Sequence, residues 1–422
     1  MKRLLTLFWL AFLTAYVNAQ QPDEKMRELE RKLNQAAGHI QQLSSIVEAL
    51  RSEIANLKSK ATESTSAPSS PGKPDEKSAD EFNERIIGPR LGASERSNPI
   101  KPKPEIFIQT RYAAAPIRDS ASEFDPNISL TRIESRWAGR VSERLGAGLE
   151  IQFHPAIDGR PEELVNDAFV EYYINDHATI RAGQFVKPFG FDVQQSSAVR
   201  ESPERGIFAG YFFPGQRDRG VMISGDLDFV DSRALKNVHY FLGAFNGNRF
   251  FADNNRQLNV VARVRKLFDR PRVAVGVSLQ GGKQILPDGV SGDDDENLFG
   301  VDLQYAAGRF GLRAEVVAGN TPSTLLSITP DFAPAFRPGA RSSGGNLFAT
   351  YQITGKDNIY ARYDQFNGDP VTGTNVRAFN FGYFRPIGEM SRLGFDYQFK
   401  NRPSFNDDAV NGRFHITWNI EF

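Results

Sequence analysis

Three patterns of apolar residues follow one another along the chain. Leu4 to Val17 form a short apolar run behind Lys2 and Arg3 and end at Val17-Asn18-Ala19. A basic start, an apolar core and a small-residue end are the parts of a secretory signal peptide, so residues 1–19 are expected to be cleaved and to take no part in the fold. Met26, Leu29, Leu33, Ala36, Ile40, Leu43, Val47, Leu50, Ile54, Leu57 and Ala61 then recur at steps of three and four. That spacing is the seam of a left-handed coiled coil and predicts a self-associating helix over 20–61. Residues 62–104 have no such period. They are rich in Ser, Pro and charge, including Pro68, Pro71, Pro74, Pro89, Pro99, Pro102 and Pro104, and read as an extended linker without a core.

From 105 to 422 the period is two. At the C-terminus Phe414, Ile416, Trp418, Ile420 and Phe422 alternate with Arg413, His415, Thr417, Asn419 and Glu421. Strands are predicted near 105–113, 129–141, 145–154, 166–174, 178–184, 219–227, 238–245, 257–266, 272–280, 298–306, 310–319, 344–353, 359–366, 376–384, 391–400 and 412–422. Alternation alone also suits a soluble sandwich, and loop lengths separate the two. Every second connection is brief, with 228–237 a somewhat longer exception, while those between are longer, with 185–218 and 320–343 the extremes. Short turns at one end, long loops at the other and an even strand count predict a 16-stranded antiparallel outer-membrane β-barrel, preceded by the N-terminal α-helical coiled coil. Both barrel ends fall on the short-turn side, which would put coil and linker in the periplasm. Tyr172, Tyr173, Tyr351, Tyr360, Tyr383, Phe384, Tyr397 and Phe399 lie near strand ends, as interfacial girdles require.

Composition narrows the choice of chemistry. Mean hydropathy of -0.43 excludes a bundle of membrane-spanning helices but not a barrel, whose strands average out as polar. The 51 basic and 51 acidic residues cancel, leaving no field to recruit nucleic acid. With no cysteine there is no thiolate nucleophile or thiolate metal site. His39, His154, His177, His239 and His415 lack ligand spacing, and no nucleophile elbow, phosphate-binding loop or dinucleotide fingerprint occurs, so neither a cofactor nor an enzyme activity is expected. The acidic run from Asp293 to Glu296 reads as a solvated external loop tip.

A more specific pattern surrounds the longest loop. Arg181-Ala-Gly-Gln-Phe185, Lys187-Pro-Phe-Gly190, Glu204-Arg205 and Arg217-Asp-Arg-Gly-Val221 follow one another, with Asp167-Ala-Phe-Val-Glu171 before them and Asn246-Gly247-Asn248 and Tyr351-Gln-Ile-Thr-Gly355 after. These blocks resemble the phosphate-selective porin O and P family over roughly 105–422, with the coil and linker outside. The resemblance implies a trimeric, 16-stranded channel of the outer membrane whose third external loop folds into the lumen.

The residues themselves suggest how such a lumen would be lined. In the strand 129–141, Arg132, Glu134, Arg136 and Arg140 share one face if Ile133, Trp137 and Val141 point to lipid. Guanidinium groups keep their charge and offer forked donors to phosphate or carboxylate oxygens. Arg111 and Arg181 extend this wall, and the loop 185–218 adds Lys187, Arg200, Arg205, Arg217 and Arg219 against Asp192, Glu201, Glu204 and Asp218. The same arginines could instead pair with Glu134, Glu150, Asp167, Glu171, Glu315, Asp364 and Asp396 and stiffen the wall. Two functions are therefore expected as alternatives. One is passive diffusion of small hydrophilic solutes, including small anions such as phosphate, through a lumen narrowed by the loop. The other is a barrel anchored in outer-membrane lipid that ties the coil to peptidoglycan.

Overall fold

The computed structural model describes residues 86, 103–116, 124–153, 165–213, 215–247, 257–269, 272–285, 293–320, 341–368, 375–388, 390–401 and 412–422, all in one compact unit, Pro74–Phe422. The signal peptide, the coiled coil and the linker apart from Ile86, Lys103 and Pro104 lie outside the described residues. Sixteen described strands follow in chain order. The first eight are β1 (Lys103–Pro116), β2 (Phe124–Arg140), β3 (Leu145–Gln152), β4 (Val165–Asn175), β5 (Ala178–Val186), β6 (Arg217–Asp226), β7 (Val238–Phe245) and β8 (Asn259–Phe268). The rest are β9 (Arg272–Ile285), β10 (Asp293–Ala307), β11 (Phe310–Asn320), β12 (Arg341–Gln352), β13 (Asn358–Asn367), β14 (Asn375–Pro386), β15 (Ser391–Asn401) and β16 (Gly412–Glu421). Each pairs antiparallel with its sequence neighbours, and β1 closes on β16 from Phe107↔Glu421 to Ala114↔Phe414. Closure leaves no edge, so every strand finds its ladder partners within the ring.

The alternation decides which side is which. On β8, Asn259, Arg263 and Arg265 are buried inside the ring while Val260 and Val264 stand exposed outside. On β16, His415, Thr417 and Asn419 are inside and Trp418 is outside. A water-soluble protein would hide such a continuous apolar outer surface, whereas a closed barrel in hydrocarbon presents it to lipid. Among the described residues no helix is long and apolar enough to cross a membrane. On β2 a bulge opposite Gln109 and Thr110 inserts Thr131 and changes the phase. That extra residue lets Ile128 and Leu130 face outward before it while Arg132, Glu134 and Arg136 face inward after it.

Three expectations change in the structure. The acidic run is not a loop tip: it is the start of β10, paired from Asp293↔Ile285 to Glu296↔Gly282. The hairpin continues beyond the apolar band, where ladder hydrogen bonds and not alternation hold it, and the pleat turns Glu296 inward to accept a 2.6 Å hydrogen bond from Asn259 Nδ2. Tyr173, Tyr360 and Phe384 are buried on the inner face and do not belong to an outer girdle, because a one-residue phase selects the face. Tyr172, Tyr351, Tyr397 and Phe399 are exposed outside, and half-buried Tyr383 shares the outward phase of Phe379 and Phe381. Finally Ile86, within the expected coreless linker, is helical and fully buried in a cluster with Leu267, Ala274 and Ala306.

Candidate functional site

The connection from β5 to β6 turns back into the ring and carries a short helix, α1 (Ile207–Phe212). Its sequence is rich in aromatics, and they do the packing. Phe189, Phe208, Phe212 and Phe213 of the connection, with Phe185 at the end of β5, are buried against Phe245, Val261, Leu298, Val317, Phe366 and Val376 of the wall from β7 to β14. Tyr211 stacks on Phe366 at 4.0 Å, and Phe189 lies 4.7 Å from Phe213. Burying each ring is worth on the order of 2–3 kcal/mol, so this half of the lumen is filled by an apolar plug fixed to the wall.

Polar contacts set the register of the plug. Glu315 accepts from the backbone N–H of Phe191 and Asp192 at 3.0 and 2.8 Å, and Ser278 from that of Gly190 at 3.0 Å. Gly190 has φ +60°, and a β-carbon there would stand 1.8 Å from Glu315 Oε1, so only glycine permits this approach. Arg313 donates to Glu201 at 2.6 Å, and Arg362 to Ser202 Oγ at 2.5 Å and to the Glu204 carbonyl at 2.7 Å. On the opposite side Glu204 reaches the β1–β2 wall, held by Arg111 at 2.5 Å and Arg132 at 2.9 Å. The loop is thus a bridge across the ring with its apolar bulk on one side.

Open space remains against the β2–β6 wall. A cavity of about 430 Å³ on the long-loop side is lined by Arg132, Gln152, Asn166, Arg200 and Glu204 among others. A second, of about 220 Å³, lies toward the short turns beside Arg136, Glu150, Glu171, Tyr173 and Arg181. Both are lined by Glu134, Ser197, Arg205 and Arg217, so these four residues mark the neck between them.

The ten basic residues expected to line the passage fall into distinct groups. Arg111 and Arg132 clamp Glu204. Arg181 pairs with Glu171 at 2.5 Å, its guanidinium 4.1 Å from the Phe169 ring centre. Arg217 joins Glu150 at 2.6 Å and Asp167 at 2.8 Å. Arg136, Arg200 and Arg205 make no ion pair within 4 Å among the described residues, and Arg200 and Arg205 are held by backbone carbonyls of Pro203, Val193 and Gln195. Arg140 caps the Glu143 carbonyl in the short turn after β2. Two expectations need correction. Lys187 is buried at the root of the loop, 5.6 Å from the Phe213 ring centre, because the apolar plug closes over it. Arg219 shares the outer face of β6 with exposed Val221 and bonds Gln184 at 3.2 Å, since the pleat puts Asp218 inside and Arg219 outside. The aromatic plug itself was not anticipated, although Phe185, Phe189, Phe191, Phe208, Tyr211, Phe212 and Phe213 crowd one loop and a solvated loop would not carry them.

Burial lowers the Arg205 guanidinium to about 10, with Asp192 opposing and Arg217 and Arg132 adding to the shift, so it remains charged at neutral pH. Burial likewise pushes Arg200 below its ordinary value, helped by Arg205 and Arg132. For Glu204 burial opposes ionisation, but Arg132, Arg111 and Arg200 outweigh it and hold the carboxyl well below the usual range. A carboxylate depressed in the folded state stabilises above its unfolded value and loses that contribution only as pH falls through the folded one. Acidification from pH 7 to about 4.5, near the free glutamate value, is therefore expected to leave Glu204 ionised and held by Arg111 and Arg132. An infrared carboxyl band that appears in that interval in the parent barrel and is missing in Glu204→Gln would contradict the clamp.

No protein-family model matches the sequence, and no curated protein matches it. Among solved structures, the chain is similar to Salmonella typhi OmpF in complex with daunomycin, with TM-score 0.55 and 15% identity over 76% of this chain and 97% of that one. It is also similar to an anion-selective porin from Comamonas acidovorans, with TM-score 0.54 and 12% identity over 76% and 98% of the two chains. The in-vitro folded, trimeric form of OmpT, an outer membrane protein of Vibrio cholerae, aligns with TM-score 0.50 and 13% identity over 76% and 100%. At these identities the likeness is one of fold: the chain carries a closed 16-stranded antiparallel barrel resembling those of outer-membrane porins.

Proposed function

We propose that the chain is a passive outer-membrane channel with a narrow, mildly anion-preferring passage along the β2–β6 wall. The observation that carries this is the pair of polar cavities meeting at Glu134, Ser197, Arg205 and Arg217 beside a loop that fills the rest of the lumen. Most charges around the neck cancel within ion pairs. Of the ten candidate basic residues, Arg136, Arg200 and Arg205, which make no ion pair among the described residues, supply the surplus, and their spread along the passage favours brief sequential contacts over one deep site. Small hydrophilic solutes would pass by diffusion, with anions such as phosphate preferred by field and forked donors, not by a dedicated cage. A homotrimer in outer-membrane lipid fits the continuous apolar exterior and the trimeric form of one structural relative.

Recording from the purified full chain in planar bilayers tests this. Discrete conductance steps are expected, with a reversal potential of anion sign in a tenfold KCl gradient. Arg136→Ala combined with Arg205→Ala is expected to move that potential toward or past zero while steps persist. An unchanged potential would remove the assigned role of these arginines, and absence of steps would remove the channel.

A further inference from the structure

Ile86 stands apart from every strand in sequence, yet none of its surface is exposed. Its cluster partners come from three neighbouring strands: Leu267 of β8, Ala274 of β9 and Ala306 of β10. Gly311 of β11 completes the seat, since a β-carbon there would stand 2.7 Å from Ile86 Cγ1 and 2.9 Å from Thr350 Cγ2. The strand phases place these residues on the inner face: Leu267 follows buried Arg263 and Arg265 at two-residue steps, and Ala306 follows buried Asp302 and Gln304. All lie at the short-turn end, beside the β8–β9 and β10–β11 turns. Small residues on three strands leave room for an isoleucine side chain on the inner face, next to the buried charges Arg265 of β8 and Asp302 of β10.

Lys103, the first residue of β1, also lies at the short-turn end but on the far side of the ring, because β9 and β1 are diametrically opposed in the strand order. A barrel of this strand number is roughly 30 Å across. Lys103 is 17 positions after Ile86 in the sequence, and a chain of that length can extend to on the order of 55 Å, more than the width of the ring.

We propose that Ile86 is an internal anchor, seated in the hollow formed by Leu267, Ala274, Ala306 and Gly311, that fastens the chain preceding β1 inside the short-turn mouth of the barrel. The N-terminal region is then tied to the β8–β11 wall as well as to β1. A pull on that region is resisted by the seat before it reaches the first strand. The occupant is this chain's own side chain, so the seat is not free to a diffusing ligand.

The absence of native cysteines gives a clean background for testing this. In the folded full chain, Ile86→Cys with Ala306→Cys is expected to form a disulfide on mild oxidation, seen as a reductant-sensitive shift on denaturing gels. Ile86→Cys with Thr179→Cys, which lies inside the ring at the same end but a quarter of the circumference away on β5, is expected not to. Equal cross-linking of the two pairs, or none in either with the barrel folded, would overturn the anchor. Should a pair fail to fold, Ile86→Cys alone decides: maleimide labelling is expected to be at least about tenfold slower in the folded barrel than after denaturation. Equal rates would overturn the proposal. Neither readout uses ion current, so its failure is separable from failure of the channel assignment.

Discussion

Phe189→Ala combined with Phe213→Ala is expected to raise single-channel conductance by on the order of twofold or more, because it releases the plug from a 16-stranded lumen. The two rings are fully buried and 4.7 Å apart, and they join the loop to Phe245, Leu298 and Phe366 of the wall. Truncating a buried phenylalanine costs about 3–5 kcal/mol. Here the loss falls on docking of the loop and not on the ladder, since the strands keep all their backbone partners. The variant barrel should therefore still migrate differently boiled and unboiled while passing larger solutes in liposome swelling. Unchanged conductance and exclusion size in a folded variant would show that the plug does not define the passage.

A second large effect is expected at the wall itself. Arg263 and Asp302 meet through two hydrogen bonds, 2.5 and 3.0 Å, with side chains 2% and 0% exposed. Ser278 accepts from the same guanidinium at 2.8 Å and Gln304 donates to the carboxylate at 2.7 Å, so the ion pair is satisfied on all sides. Taking both charges from water is repaid only while both remain. Asp302→Asn leaves a buried guanidinium without its counter-charge and is expected to cost about 3–5 kcal/mol. The double variant Asp302→Asn with Arg263→Met should recover most of it. The urea midpoint for loss of the folded gel species measures this, and a midpoint equal to that of the parent chain would contradict it.

Much of the barrel was readable in the residues, and the reason is geometric. A strand with hydrocarbon on one face and water on the other must alternate, so Phe414 to Phe422 and Leu258 to Arg265 declare both strand and face. Turn length then orders the ends. What was not legible depended on something other than period. Asp293 to Asp295 carry no apolar alternation, yet they extend β10 because the partner strand offers a ladder beyond the apolar band. The faces of Tyr173, Tyr360 and Phe384 required a phase correct to one residue. Among the candidate arginines, the spacing of Arg132, Arg136 and Arg140 implied a shared inner face on β2, where Arg132 and Arg136 line the two cavities. It could not say that Arg132 is committed to Glu204, a partner 72 residues away on a returning loop. Lys187 and Arg219 were misassigned for the complementary reason: proximity in sequence to the loop said nothing of where the plug or the pleat would turn them.

Solutes are expected to travel along the β2–β6 wall and not through the half of the ring occupied by the plug. Substituted-cysteine block during bilayer recording tests it most directly. Ser197→Cys, at the neck, is expected to react with a charged methanethiosulfonate and lose most of its current within the recording, whereas Ser278→Cys, beneath the plug and fully buried, should be unaffected. Block at Ser278→Cys with none at Ser197→Cys would place the passage on the other side and contradict the account.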